Sequence, residues 1–355
     1  MTSRASTTYG PAIVGVLLSI GAIEPTTAVA QGVDADFYRG KQITIVCSAE
    51  AGGLYDTYSR VLSRHLPNHI PGKPSTIVQN MPGASGLRAA NYIANVAVRD
   101  GTVFAGTHSS VPTAPLLSPD GANFDVTKLS WIGSVSKDPF VAFVWHTAPV
   151  KTLEEIKTKE IIVGGGAVGS ASIDYAIIAR DMLGYKLKIV TGYKGSNDTK
   201  LAIERGELNG TFGNGWTSLK TAEPTWLKEN KVRVIAQFGL SRHSEMPDVP
   251  LFVDLAKEQS ERRAMELMFA RQEFAKPYFA PPEVPAARLA ILRAAFDTTM
   301  KDPAYLEEMA KVQMEVDGPM RADELTAMVG RVAATPPDIV RRLEAMFAAF
   351  RDGKS

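Results

Sequence analysis

From Phe37 onward, short runs rich in β-branched residues alternate with stretches of helical spacing. Ile43 to Cys47 reads as a strand. Leu54 to Leu66 reads as a helix with Leu54, Tyr58, Val61 and Leu62 on one side, broken by Pro67, Pro71 and Pro74. Ser75 to Gln79, a helix over Leu87 to Val98 and a strand over Thr102 to Gly106 complete a β-α-β-α-β order. That order predicts a parallel sheet with right-handed crossovers.

The alternation then repeats. Strands are expected at Trp131 to Val135, Phe140 to His146, Ile161 to Val163, Leu187 to Val190, Leu208 to Phe212 and Val232 to Phe238. Helices are expected from Ser172 and over Asp198 to Arg205, where Lys200, Glu204 and Arg205 read as a solvated face. From Pro281 the pattern turns helical: Val284 to Thr299, Pro303 to Gln313, Ala322 to Val332 and Asp338 to Phe350. Two α/β halves followed by a helical tail suggest two lobes with a cleft between them.

Composition narrows the class. The 355 residues are enough for two domains, and 45% hydrophobic with 22% charged residues is ordinary for a globular protein. A formal net charge of +1 offers no global field for nucleic acid or an anionic membrane. Cys47, the one cysteine, lies in the first strand and reads as a small buried hydrophobe. The N-terminus reads as a secretory leader over residues 1–30. Arg4 precedes the apolar run Pro11 to Ile23, and Ala28-Val29-Ala30 fits a cleavage pattern before Gln31. An exported, soluble protein starting near Gln31 is expected.

Candidate chemistry centres on two glycine-rich turns, each after a strand and before a helix. Gly52, Gly53 and Asp56 mark the first; Gly164, Gly165, Gly166, Gly169 and Ser170 mark the second. Such turns free backbone N–H groups at the positive end of a helix dipole, so each is a candidate anion cradle. Asp56 would repel an anion and is read as a residue that shapes its loop. The spacing Gly164-x-Gly166-x-x-Gly169 matches a dinucleotide fingerprint. The next strand, however, runs into Thr191-Gly192-Tyr193-Lys194-Gly195 without the acid a ribose needs, so no cofactor is expected.

Other chemistries find less. Pro67 lies between His65 and His69, so no helical metal pair is expected. His108 follows a strand among Thr107, Ser109 and Ser110, hydroxyls suited to a carboxylate. Gly83-Ala84-Ser85-Gly86 lacks the spacing of a hydrolase elbow, and no catalytic residue is expected.

The ordered motifs resemble the substrate-binding proteins of tripartite tricarboxylate transporters, the Bug family. Its P-G-G-x-x-D-x-x-A-R loop is similar to Ala51 to Arg60, its N-R-P-G-A-G-G to Asn80 to Gly86, and its D-G-Y-T-L-L-x-G-T to Asp100 to Thr107. The family's G-x-G-S, Y-x-G and L-P-D-V-P motifs correspond to Gly166 to Ser170, Tyr193 to Gly195 and Met246 to Pro250. The likeness spans nearly all of the mature chain. It departs where Ile173-Asp174 replaces a frequent histidine, where two usual acids are lost over Ala202 to Asn209, and over the charged segment 256–275, which looks inserted.

The resemblance implies an α/β periplasmic binding protein fold of type II, each lobe a mostly parallel sheet flanked by helices. Residues 31–137 and 243–355 would form lobe one and residues 138–242 lobe two. It implies a receptor that captures a small organic carboxylate (di-, tri- or aromatic acid) and delivers it to transporter membrane subunits. An exported sensory receptor or an enzyme on the same scaffold are the other readings. The ligand contacts it implies are Gly52, Gly53, Leu54, Tyr55, Asp56, Ser85, Thr107, His108 and Ser109 on one side. On the other they are Gly169, Ser170, Ala171, Ser172, Tyr193 and Lys194.

Overall fold

Two mixed sheets divide the strands between them. The structure, a computed structural model, describes residues 36–353 together with residues 1, 2 and 5. The leader reading of residues 1–30 otherwise lies outside the described residues. The first sheet has the order β11-β4-β10-β3-β1-β2, and the second β7-β6-β8-β5-β9.

In the first sheet β1 (Gln42–Cys47) runs parallel to β2 (Ser75–Asn80) and β3 (Val103–Gly106), as the β-α-β-α-β pattern predicts. The sequence pattern did not reveal β10 (Pro277–Ala280), which inserts antiparallel between β3 and β4 (Ser130–Ser134). It has four residues, starts on proline and abuts Pro281, so it carries no recognisable period. The two-residue β11 (Met320–Arg321) closes that edge.

In the second sheet β6 (Ile161–Gly164) is parallel to β7 (Leu187–Val190) and β8 (Gly210–Gly215). β5 (Phe140–Trp145) is antiparallel to β8 and to β9 (Val232–Phe238). Each sheet, with its helices, makes one lobe of an α/β fold.

Helix α1 (Leu54–His65) starts on Gly53 and ends where Pro67 forces a short 3-10 turn. Its buried face is Asp56, Tyr58, Ser59, Val61 and Leu62. Leu54, expected on that face, is 45% exposed at the mouth of the turn. Beyond α2 (Leu87–Asn95), helix α3 (Ala171–Ile177) continues into a π turn over Ile178–Met182.

Helix α4 (Ser196–Glu204) corrects part of a second expectation: Glu204 and Arg205 are exposed as read, and Lys200 is not. Lys200 is buried and pairs with Glu223 at 3.0 Å, and Glu204 accepts the Trp226 indole N–H at 3.2 Å. These charges tie α4 to the short helices α5 (Trp216–Ala222) and α6 (Pro224–Lys228), because the indole and ammonium both need a partner once Trp226 packs inside.

The segment 256–275 forms helix α7 (Gln259–Glu273), started by a capping box between Glu258 and Glu261. Arg262 and Glu266 pair on its outer side at 3.3 Å. Its inner side buries Met265, Met268 and Phe269 among Tyr175, Phe238 and Phe252. Phe252 is brought there by Leu251, which bridges to Gln237 of β9. Helices α8 (Ala286–Thr299) and α9 (Pro303–Lys311) cover the first sheet. Helices α10 (Ala322–Ala333) and α11 (Pro337–Arg351) pack on α7. No helix among the described residues is long and apolar enough to cross a membrane.

Candidate functional site

The two glycine turns share one construction. Gly52 has φ +82°, and its amide donates to Asp56 Oδ2 at 2.7 Å. Gly169 has φ +99°, and its amide donates to Asp174 Oδ1 at 2.8 Å. In both, a left-handed glycine turns the chain and an aspartate in the next helix's first turn locks it. No side chain caps either helix, so first-turn amides of α1 and α3 remain available at the positive end of the dipole.

The two aspartates sit in different electrostatic surroundings. Burial pushes the Asp56 carboxyl up, but hydrogen bonds from Arg60, Gly52 and Asn80 outweigh it and hold it below the ordinary value. With both oxygens taken, Asp56 faces its own loop. Burial dominates at Asp174 and raises its pKa, despite the Gly169 amide and the field of Arg271.

Two further turns of the first lobe approach α1. Ser85 is left-handed at φ +51°, and its carbonyl accepts the Ser110 hydroxyl at 3.0 Å. The Ser109 amide donates to the Tyr55 hydroxyl at 3.3 Å, and the Tyr55 ring lies 4.4 Å from that of His108. Burial raises the Tyr55 pKa, so its phenol keeps its proton. Ser48 Oγ lies 2.8 Å from His108 Nδ1, and burial lowers the His108 pKa. Thr107 is buried, with its hydroxyl lacking a hydrogen-bond partner.

On the second lobe, Gly192 and Tyr193 donate backbone hydrogen bonds to Gly166 and Gly165 at 2.8 and 3.2 Å. The Ser170 hydroxyl donates to Ala167 O at 2.6 Å and lies 3.3 Å from Ser172 Oγ.

A cavity of about 1020 Å³ brings the turns together. Of the expected contacts, Tyr55, Ser85, His108, Ser109 and Gly169 line it. Ser170, Ser172, Tyr193 and Lys194 line a separate hollow of about 270 Å³ behind the second turn. Gly52, Gly53, Leu54, Asp56, Thr107 and Ala171 line neither. The large cavity also takes in Asp174, Met268 and Arg271, and Phe347 and Arg351 of α11. Nothing in the spacing of α7 or α11 marks these as cleft residues; the charged character of segment 256–275 was the one available signal. Among the described residues, no group of three or more histidine, cysteine, aspartate or glutamate side chains is placed to hold a metal.

The family model described as "Tripartite tricarboxylate transporter family receptor" matches residues 60–329. The chain belongs to this receptor family. It is thus a solute-binding protein and not an enzyme. The UPF0065 protein of the TAR-I ttuE-ttuC' intergenic region of Agrobacterium vitis is 26% identical over 305 residues, 84% of this chain and 81% of that protein. BugT of Bordetella pertussis is 25% identical over 251 residues, 68% of this chain and 73% of that protein.

Solved structures share the fold. A ligand-free TctC solute-binding protein from Polaromonas has a TM-score of 0.68 at 19% identity, covering 86% of this chain and 99% of its own. MatC of Rhodopseudomonas palustris, solved with malate, has a TM-score of 0.53 at 19% identity, covering 86% and 99%. An R. palustris protein solved with adipate has a TM-score of 0.52 at 19% identity, covering 88% and 95%. The receptor fold expected from the sequence is therefore the fold of this chain: a two-lobed periplasmic binding protein fold.

Proposed function

We propose that this receptor captures a small organic carboxylate between its lobes after export to the periplasm and delivers it to the membrane subunits of a tripartite tricarboxylate-type transporter. The lobes in this reading are residues 31–137 with 243–355, and residues 138–242. One observation carries it: a single cavity is touched by Tyr55 of the first helix start and by Gly169 of the second turn. Both helix ends are uncapped, and each favours an anion in front of it. The malate and adipate of the two R. palustris relatives support a carboxylate as that anion.

In this reading Asp56 and Asp174 fix the turns, while Ser85, His108 and Ser109 offer hydrogen-bond donors. Hinge closure brings Ser170, Ser172, Tyr193 and Lys194 of the neighbouring hollow toward the ligand.

A thermal-shift screen of residues 31–355 against mono-, di- and tricarboxylates, aromatic acids included, tests the reading. Saturation at about a hundredfold above Kd stabilises by about 2.7 kcal/mol, a readable rise in Tm. A rise with at least one carboxylate is expected. A rise with a neutral sugar or an amine, and with no carboxylate, would overturn it.

A further inference from the structure

The end of helix α7 (Gln259–Glu273) delivers a guanidinium to the cavity. Arg271 sits on the last turn, with Met268 one turn earlier on the same wall. Its Nε donates to the Tyr175 hydroxyl at 3.3 Å, and its guanidinium lies 5.7 Å from the Tyr175 ring centroid. Tyr175 is fully buried, and its hydroxyl in turn donates to Met268 O at 3.2 Å. The arginine is therefore clamped from one side. Its Nη2 is enclosed and has no hydrogen-bond partner.

An enclosed N–H donor on a permanent cation is costly to leave unmade, and a charged one more so. Asp174, the acid beside it in the cavity wall, already spends Oδ1 on the Gly169 amide. The enclosed N–H therefore suits an acceptor arriving from the cavity, and the fixed positive charge favours an anionic one.

Resting on the carboxylate reading above, we propose that Arg271 is a ligand-binding residue that recognises a second acidic group. The first carboxylate meets first-turn backbone amides of α1 and α3, which carry no net charge. The second meets the Arg271 fork, which presents paired N–H donors in the plane of a carboxylate. The cavity wall also includes Leu117, Met268 and Phe347, suiting an apolar spacer. The receptor thus selects diacids with an aliphatic or aromatic body over monoacids of equal length.

Calorimetry with matched pairs tests this: succinate and butyrate, adipate and hexanoate, suberate and octanoate, terephthalate and benzoate. In the parent protein at least one diacid is expected to bind about tenfold to a hundredfold tighter than its monoacid, the range for a hydrogen bond to a charged group. In Arg271→Gln that preference should fall to about twofold or less; Arg271→Lys, which keeps the charge and loses the fork, should restore part of it. The parent's own preference is read without any variant, so a folding defect in Arg271→Gln does not blunt the test. Equal binding of monoacid and diacid in the parent, or an unchanged preference in a folded Arg271→Gln, would overturn the role of Arg271 and leave the carboxylate reading standing. Failure of the parent to bind any acid of the eight while binding a neutral solute would overturn both.

Discussion

The Gly169 amide donates to the Asp174 carboxylate, five residues on, at 2.8 Å, and Gly52 donates to Asp56, four residues on, at 2.7 Å. The two lobes thus fix their turns with one device, built on unrelated stretches of sequence. A left-handed glycine alone would leave the loop mobile. The aspartate removes that freedom and keeps the remaining amides free, because it consumes one N–H inside the turn and caps no helix end.

The two locks should respond oppositely to acid. Asp56 has a folded pKa below its ordinary 3.8, so its stabilisation is full above 3.8 and is lost as pH falls through the folded value. Asp174 has a folded pKa above 3.8, so its ionised form costs stability above that folded value, and the cost is relieved as pH falls toward 3.8. At neutral pH, Asp56→Ala is expected to lose about 3 kcal/mol, since a buried charged acceptor leaves three donors unmet. Asp174→Asn keeps an oxygen for Gly169 and sheds a buried charge, so it should match or exceed the parent. Denaturant titrations check both; an equal loss in both variants would show that the locks are not electrostatically distinct.

Gly169 has φ +99° and open space where a Cβ would stand, so the obstacle to a side chain there is backbone strain and not collision. Gly169→Val should cost about 1–2 kcal/mol of stability and weaken carboxylate binding by about tenfold or more, as the turn relaxes away from Asp174. Gly330→Ala, inside helix α10 with nothing near its Cβ, is the control: it should gain about 0.5–1 kcal/mol and leave affinity alone. Calorimetry and chemical denaturation read the two effects separately.

Phe269 joins α7 to the second lobe, with ring centroids 4.9 Å from Tyr175 and 5.3 Å from Phe238. If this segment is part of the core, Phe269→Ala should cost about 3–5 kcal/mol. A dispensable surface insertion would lose less than about 0.5 kcal/mol. Urea unfolding of residues 31–355 distinguishes the two.

The parallel heart of each lobe was legible because β1, β3, β6 and β7 are apolar runs that end on glycine or turn residues. The turns were legible because glycine and aspartate recur at helix starts. Four things were not. Lys200 looked solvated because its partner Glu223 lies 23 residues away, beyond any helical period. β10 is too short to show alternation. Helix α7 hides its apolar stripe among Glu261, Arg262, Arg263 and Glu266, so its charge outweighed its pattern. Arg271 and Phe347 reach the cavity only through packing of α7 and α11, which no local spacing encodes.

His108 should present its Nε2 proton to the cavity. Ser48 Oγ accepts the His108 backbone N–H at 3.1 Å and lies 2.8 Å from His108 Nδ1. If the hydroxyl gives its one proton to Nδ1, the ring's own proton resides on Nε2, and the Nε2–H tautomer is the one expected. Burial lowers the ring's pKa below 6.5, which keeps it neutral at neutral pH. Folding stability from this group is therefore full above 6.5 and is lost as pH falls from 6.5 through the lower folded value. Nitrogen NMR of the ring at neutral pH is expected to show the Nε2–H tautomer, and Ser48→Ala should allow the Nδ1–H form to appear. In His108→Gln the stability loss below 6.5 should shrink. An Nδ1–H signature in the parent, or a ring pKa above 6.5, would remove His108 as a neutral donor to the carboxylate.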